Sequence, residues 1–99
     1  LTPIEIGWRA TASALSDLAA AAAAPAGITV AVVLPPSWPE ETLPALMAGV
    51  GEAALASGCR VLGGDLSSGP ALMVAVTVFG HADPAPLWDC RLGVLRPRL

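Results

Sequence analysis

The chain has 99 residues, of which 55% are hydrophobic and 13% are charged. This composition argues against intrinsic disorder, and the length corresponds to one small domain or part of a larger one. A formal net charge of −3, with Arg as the only basic residue type, argues against nucleic-acid binding, because that function needs a basic stripe. The two cysteines, Cys59 and Cys90, form no CxxC pair and no metal spacing, so we predict cytosolic thiols ahead of a disulfide.

The longest apolar run, residues 18–34, predicts two elements of secondary structure and not a membrane helix. The run is about 17 residues long, the lower limit for a membrane span, and Pro25 and Gly27 separate its Ala-rich half from its β-branched half. No basic region followed by an apolar segment opens the chain, so we predict no secretory signal. We therefore predict a cytoplasmic protein that does not bind membranes.

The first predicted element is a helix that begins at a capping box. Thr2 can accept the first capping hydrogen bond, Pro3 suits the first helical position, and Glu5 stands three residues after Thr2. Apolar residues then recur at helical spacing, and the alanine-rich segment that follows favours helix intrinsically. We predict that this helix runs to about Ala24, because Pro25 cannot continue it.

One acidic residue, Asp17, stands in the middle of this helix. It is the only formally charged residue between Arg9 and Glu40, and its neighbours at helical spacing are serine and alanine, so no basic side chain on the helix can pair with it. Two interpretations stay open on the residues alone. Asp17 is either an exposed acid that keeps the helix soluble, or an acid that faces a cation or phosphate site.

A strand and a second helix follow. The run Gly27–Leu34 is rich in β-branched residues and almost continuously apolar, which predicts a strand that is buried on both faces. Ser37 is a candidate cap for the next helix, but Pro44 lies inside the helical pattern, so we expect either a kink there or a start shifted to Thr42. Gly58 suits the position just past the end of this helix.

Two further strands are predicted, at residues 59–63 and 71–79. The first runs into Gly63-Gly64-Asp65, and small polar residues and a turn follow before the second. The element order α-β-α-β-β predicts an α/β (α+β) fold of two layers, with the helices on one face of a mixed sheet. The other face would then be bare, and such apolar strands do not favour contact with water. We therefore expect a second sheet or a second subunit against that face.

The end of the chain predicts no regular element. Residues 83–99 mix apolar residues with three Arg and show no periodicity, so we predict an irregular tail after a first domain of residues 1–82. His81 is the only histidine, and without a second histidine or a cysteine pair beside it a zinc site is rejected.

Two segments together resemble the thiamine-monophosphate kinase family. Leu15-Ser16-Asp17-Leu18-Ala19-Ala20 is similar to its Ser-Asp-Ile/Leu-Ala-Ala segment, and Gly63-Gly64-Asp65 followed by Gly69-Pro70 is similar to its second acidic motif. Leu34-Pro35-Pro36 matches the layout between them, and the resemblance covers roughly residues 4–80. The wider superfamily includes aminoimidazole ribonucleotide synthase (PurM), selenide water dikinase and the hydrogenase maturation factor HypE.

The resemblance implies a partial PurM-like N-terminal ATP-binding domain, over residues 1–82, of an enzyme that phosphorylates thiamine monophosphate to thiamine diphosphate. It implies ATP as a substrate, magnesium as the metal, and a homodimer formed through the sheet face. Carboxylates that hold magnesium over ATP phosphates are sufficient for much of phosphoryl transfer. The residues that it assigns are two magnesium ligands, Asp17 and Asp65, and four residues near the nucleotide, Gly63, Gly64, Ser16 and Ser67; it assigns no catalytic residue.

The sequence also departs from the family pattern. Asn usually stands where Ala14 is, and Thr often follows the Gly-Gly-Asp motif, where Leu66 stands here. A Gly-Asp-Asp segment and a C-terminal domain of the family are absent from these residues, and the 83–99 tail does not match the family's continuation. We therefore expect the isolated chain to be inactive. The alternatives are a non-catalytic dimerisation or scaffold module of the same fold and another ATP-using enzyme of the superfamily.

Overall fold

The structure is a computed structural model, and it describes residues 1–81 together with the backbone of residues 87–89 and 94–96. The predicted order α-β-α-β-β and the mixed sheet are confirmed, and two short strands follow. The elements are α1 (Pro3–Ala20), β1 (Ala24–Leu34), α2 (Thr42–Ala56), β2 (Arg60–Ser68), β3 (Met73–His81), β4 (Leu87–Asp89) and β5 (Val94–Arg96).

The predicted capping box at the start of α1 is confirmed. The Glu5 amide donates to the Thr2 hydroxyl at 3.2 Å, and the Thr2 amide and hydroxyl donate to the Glu5 carboxylate at 3.1 and 2.9 Å. The predicted end of the helix at Ala24 is wrong. The helix ends at Ala20, and Ala22 has a φ of 57°, in the left-handed region that L-residues other than glycine rarely adopt. The chain thus reverses before Pro25, and Ala24 already belongs to β1.

Helix α2 begins at Thr42, the later of the two predicted starts. Ser37 is not its cap, because Glu41 holds the N-cap position without a side-chain hydrogen bond. Pro44 therefore lies in the first turn, where its missing N–H has no intrahelical partner to lose, and no kink is needed. Gly58 follows the helix with a φ of 76°, as predicted for a C′ glycine.

The sheet has the strand order β2-β1-β3, with β1 in the centre. Strand β2 pairs parallel to β1, and β3 pairs antiparallel to β1 on the other side. The predicted end of this strand at residue 63 is wrong, because β2 continues through Gly63-Gly64-Asp65 to Ser68, paired with β1. Pairing with a neighbouring strand satisfies the backbone hydrogen-bonding groups of this glycine-containing segment and keeps the segment extended.

Both helices pack on one face of the sheet. The core joins alternate residues of β1 (Ile28, Val30 and Val32) to Leu46 and Val50 of α2, and partly buried side chains from α1 and β3 surround it. The opposite face, which we call the open face, carries the intervening positions. Its members are Thr29, Ala31 and Val33 of β1, Asp65 and Ser67 of β2, and Met73, Ala75, Thr77 and Phe79 of β3.

Two glycines allow the helices to cross at close range. A Cβ atom added to Gly7 would overlap the carbonyl oxygen of Leu46, and one added to Gly49 would overlap the carbonyl oxygen of Ile4 and lie 2.9 Å from the Trp8 amide nitrogen. Each glycine thus packs against backbone of the other helix. The crossing has no room for a side chain at either position.

The expectation of an irregular tail is wrong at two places. Strands β4 and β5 pair antiparallel, with Trp88 opposite Leu95. Trp and Val favour strands, but three residues are too short for a period to be read from the sequence. The remaining residues of the tail lie outside the described part. In the described residues no helix is long and apolar enough to cross a membrane.

Candidate metal and nucleotide site

Asp65 lies on the open face of the sheet. It stands directly opposite Ala31 of β1, whose other neighbour in the sheet is Ala75 of β3. Directly paired residues share a face, and Ala31 points away from the helices between the core residues Val30 and Val32. The carboxylate of Asp65 is exposed on the side of the sheet that no helix covers.

The two glycines before Asp65 have different environments. A Cβ atom added to Gly64 would overlap the carbonyl oxygen of Val30, whereas one added to Gly63 would have nothing within 4 Å. Gly64 is therefore needed for β2 to close against β1, as glycine in a strand often is. Gly63 has no such packing role and leaves open space beside Asp65.

A depression of about 340 Å³ on the open face contains Asp65 and two hydroxyl groups. Thr29 of β1 and Thr77 of β3 form a directly opposed pair, and Gly63 is the residue of β2 in the same row. Ala31 and Ala75 form the floor of the next row, beside Asp65. Small side chains thus leave room over the sheet, and the polar atoms around this room are carboxylate and hydroxyl oxygens.

Asp17 lies in the helix layer, on an exposed part of α1. The methyl groups of the next residue, Leu18, lie against Gly80, which pairs with Pro25 at the beginning of β1. Pro25 and Ala31 are six positions apart, which corresponds to about 20 Å along β1. Asp17 and Asp65 therefore lie on different layers of the fold, and the described residues contain no group of three or more potential metal ligands.

The two predicted serine contacts of the nucleotide, Ser16 and Ser67, lie on different elements. Ser16 is exposed on α1 beside Asp17. Ser67 is exposed near the end of β2, where it lines a second depression of about 310 Å³ with Ser68, Trp38 and Glu40. This depression lies at the carboxyl ends of the parallel strands, a frequent ligand position in α/β sheets. Gly63 and Ser67 are near Asp65, and Ser16 is not.

The sequence analysis missed Thr29 and Thr77, although the sequence contains a signal for them. Each is the only polar residue in the apolar interior of its strand, Ile28–Leu34 or Met73–Phe79. Alternation places both on the face opposite the buried valines. Their proximity to Asp65 depends on the strand order, which the sequence alone did not predict.

The donor atoms at the Asp65 depression fit magnesium. Magnesium prefers oxygen ligands and keeps several waters, so one carboxylate with nearby hydroxyls in an open space is a suitable partial site. Among residues 1–81 no side chain donates a hydrogen bond to either carboxylate. Within residues 1–81, both carboxylates are therefore available to an external cation.

The sequence matches a known family over most of its length. Residues 1–82 match the family described as AIR synthase related protein, N-terminal domain. The chain belongs to this family. The family membership agrees with the predicted PurM-like fold.

Relatives within this family include several thiamine-monophosphate kinases. That of Synechococcus elongatus is 44% identical over 82 residues, which are 83% of this chain and 25% of the relative. That of Bacillus subtilis is 34% identical over 83 residues, with 83% and 26% covered. That of Corynebacterium glutamicum is 31% identical over 96 residues, with 97% and 29% covered. The chain spans about a quarter of the length of these relatives.

Solved structures of the family have the same fold. The protein tt0281 from Thermus thermophilus has a TM-score of 0.79 at 34% identity, with 81% of this chain and 26% of that chain covered. Thiamine monophosphate kinase from Aquifex aeolicus has a TM-score of 0.78 at 25% identity, with 81% and 27% covered. A further structure, AaThiL complexed with AMPPCP and TMP, has a TM-score of 0.78 at 25% identity, with 81% and 26% covered.

Proposed function

We propose that this chain is the N-terminal ATP-binding part of a thiamine-monophosphate kinase, which transfers the γ-phosphoryl group of ATP to thiamine monophosphate and forms thiamine diphosphate. The observation that carries the proposal is the similarity, over residues 1–82 and beyond, to relatives with this name and to a structure complexed with AMPPCP and TMP. We further propose that the reaction requires magnesium and takes place in the cytoplasm.

In this proposal the chain supplies carboxylate oxygens and close backbone approach. Asp65 and Asp17 hold magnesium ions, which neutralise charge on the phosphates of ATP. Gly63 leaves room for the nucleotide beside Asp65, and Gly64 keeps β2 against β1 so that Asp65 is held on the open face. Ser67 and Ser16 are hydroxyl donors for phosphate oxygens, each beside one of the two acids.

A binding experiment tests the proposal without requiring turnover, because the isolated chain is expected to be inactive. Magnesium-ATP is titrated calorimetrically into the wild-type chain and into Asp65→Asn and Asp17→Asn. Glu52→Gln is the matched control, because it removes an exposed carboxylate from α2, away from both acids. We expect the wild type to bind, both Asn variants to bind at least about five-fold more weakly, and the control to be unchanged.

Two results would contradict the proposal. The first is a folded wild-type chain, judged by circular dichroism, that binds no magnesium-ATP. The second is equal binding by the wild type and both Asn variants, which would mean that neither acid acts on the metal nucleotide.

A non-catalytic scaffold of the same fold is the second candidate, and one observation favours it. Asp17 lies on α1 and Asp65 on the open face of the sheet, and the described residues contain no group of three or more potential metal ligands. The scaffold alternative expects a folded chain that associates with other subunits and does not bind nucleotide. The titration above separates the two functions directly.

We also propose that the chain forms a homodimer through the open face. The support is the exposure of large apolar side chains there, with Met73 64% and Phe79 50% exposed. The test is sedimentation velocity of the wild type, Phe79→Glu and Leu55→Glu. Leu55 is 79% exposed on α2 and serves as the control for an equal change elsewhere. We expect dimers of the wild type and the control, and monomers of Phe79→Glu; a folded, monomeric wild type would refute the proposal.

A further inference from the structure

We propose that the depression at the carboxyl ends of β1 and β2 is a binding site for a flat, amino-substituted heteroaromatic ring, and that Trp38 stacks on this ring. Two molecules of the proposed function carry such a ring: ATP has adenine, and thiamine monophosphate has an aminopyrimidine. The inference rests on the proposed function and deepens it, because it names residues that select a substrate by its ring. The ring chemistry is the same for both sources, and the experiment separates them.

The depression lies where the two parallel strands end. Leu34, the last residue of β1, pairs with Ser68, the last residue of β2, and Pro35 follows β1 directly. The depression has a volume of about 310 Å³, and its lining includes proline rings, Trp38 and the two serines at the end of β2. In open α/β sheets, ligands bind in the crevice outside the carboxyl ends of the strands. The fold thus offers a ligand position beside a large aromatic side chain.

Trp38 is held in place by its backbone. Its amide donates a hydrogen bond to the Pro35 carbonyl at 3.1 Å, and the Thr42 amide donates one to the Pro39 carbonyl at 3.1 Å. Prolines at positions 35, 36 and 39 fix φ on both sides of it. The side chain is nevertheless 38% exposed. A partly exposed indole on a rigid turn can stack on a ring at a small cost in conformational entropy.

The polar groups around Trp38 determine how such a ligand is oriented. Glu40 lines the depression, and among residues 1–81 its carboxylate makes no hydrogen bond. This carboxylate can accept a hydrogen bond from the amino group of the ring, and its charge repels phosphate. Ser67 and Ser68 offer hydroxyl donors to phosphate oxygens. Ser68 is three positions from Asp65, about 10 Å along β2, so the phosphates point toward the proposed magnesium ligand.

Single exposed tryptophans are common on protein surfaces, so Trp38 requires a comparison within the same chain. Trp8 is 43% exposed on α1 and lines a depression of about 310 Å³ with Glu5 and Arg9. The Glu5 carboxylate there already accepts hydrogen bonds from Thr2, and none of the described residues that line this depression carries a hydroxyl group. Trp8 is therefore a matched control, with similar exposure but without the hydroxyls and the position at the strand ends.

The experiment follows the indole N–H signals of the ¹⁵N-labelled 99-residue chain by NMR, and the Trp38 signal is identified by its loss in Trp38→Phe. The probes are magnesium-ATP, thiamine monophosphate and magnesium tripolyphosphate, which has no ring. We expect at least one ring-bearing probe to shift the Trp38 indole signal together with the amide signals of Ser67 and Ser68. Tripolyphosphate should leave this indole signal unshifted, and no probe should shift the Trp8 indole signal. The ring-bearing probe that acts at Trp38 identifies the source of the ring.

The variants measure how much the ring contact contributes to binding of that probe. Trp38→Leu should weaken binding at least about five-fold, and Trp38→Phe, which keeps a flat ring, by no more than about two-fold. Glu40→Ala should weaken binding by about two- to five-fold, because it removes the acceptor for the amino group. The neighbouring Glu41 does not line the depression, so Glu41→Ala should leave binding unchanged, as should Trp8→Leu.

Three results would overturn the inference. The first is that neither ring-bearing probe shifts the Trp38 indole signal at millimolar concentration. The second is that folded Trp38→Leu binds both ring-bearing probes as tightly as the wild type does. The third is an equal loss of binding in Trp38→Leu and Trp8→Leu, because the effect is then on the whole fold and not on a ring contact.

These outcomes differ from those that refute the proposed function. If magnesium-ATP binds and both Asn variants of the acids weaken it, but Trp38→Leu changes the binding of no probe, the kinase proposal stands and the ring site fails. If thiamine monophosphate shifts the Trp38 indole signal and Trp38→Leu weakens its binding, while the chain binds no magnesium-ATP, the ring site stands and the kinase proposal fails.

Discussion

The substitution Gly49→Ala should destabilise the chain, although alanine is the better helix former. A Cβ atom at this position overlaps the Ile4 carbonyl oxygen and lies 2.9 Å from the Trp8 amide nitrogen, and both atoms belong to the backbone of α1. A backbone cannot rotate away as a side chain can, so the two helices must move apart. We expect a cost of about 3 kcal/mol from overpacking, reduced by about 1 kcal/mol of helix propensity, for a net loss of about 2 kcal/mol.

Gly51→Ala is the matched control on the same helix. A Cβ atom at Gly51 has nothing within 4 Å, so this variant should gain about 1 kcal/mol from helix propensity alone. Urea denaturation followed by circular dichroism measures both, and the two midpoints should differ by roughly 2 M for an m-value near 1.5 kcal/mol/M. If Gly49→Ala is as stable as Gly51→Ala, the close helix crossing is not a real constraint and our explanation of both glycines is wrong.

Three further changes test other parts of the fold. Thr11→Val should stabilise the chain by about 1 kcal/mol, because the buried Thr11 hydroxyl has no hydrogen-bond partner among the described residues. Thr11→Ser, which keeps the hydroxyl, should not stabilise it, and thermal denaturation measures both variants. Ala22→Gly should raise stability by up to about 1 kcal/mol by relieving a left-handed alanine, whereas Ala21→Gly should not, and a stabilising Ala21→Gly would contradict the reasoning. The backbone N–H and the hydroxyl of Thr2 lower the pKa of Glu5 in the folded chain. The ionised Glu5 therefore stabilises the fold at pH values above its ordinary pKa, and this stabilisation is lost as the pH falls through the lowered pKa. Glu5→Gln should flatten the acid side of a curve of stability against pH.

Local signals in the sequence predicted the start of α1 and the end of α2, because these depend on residues within one turn. The Thr2 and Glu5 side chains form the capping hydrogen bonds that their spacing predicts, and Gly58 takes the positive φ that favours glycine. The end of α1 and the length of β2 were predicted wrongly. Both depend on pairing with strands that are distant in sequence: Ala24 pairs with His81, and β2 stays paired with β1 beyond residue 63, where its two glycines predict an end.

The position of Asp65 depends on one irregularity that no sequence period reveals. Val61 pairs with Ile28 on the helix-facing side, and strict alternation along β2 would turn Asp65 to that same side. The register shifts between Ile28 and Thr29, so that Leu62 is an extra residue and Gly63 pairs with Thr29. This bulge turns Asp65 to the open face. The sequence identified the acid, and the register of the pairing between β1 and β2 determines on which face of the sheet the acid lies.

Because Asp65 and the proposed dimer contact share the open face, cation binding and association must be linked. A second copy against this face would reduce the exposure of the Asp65 carboxylate, and removing an unpaired charge from water is costly. A cation on Asp65 offsets this cost, so magnesium should favour the dimer, and the dimer should bind magnesium more tightly by the same factor. Asp17 lies in the helix layer and takes no part in this linkage. The strength of association with and without magnesium therefore reports on which acid belongs to the interface.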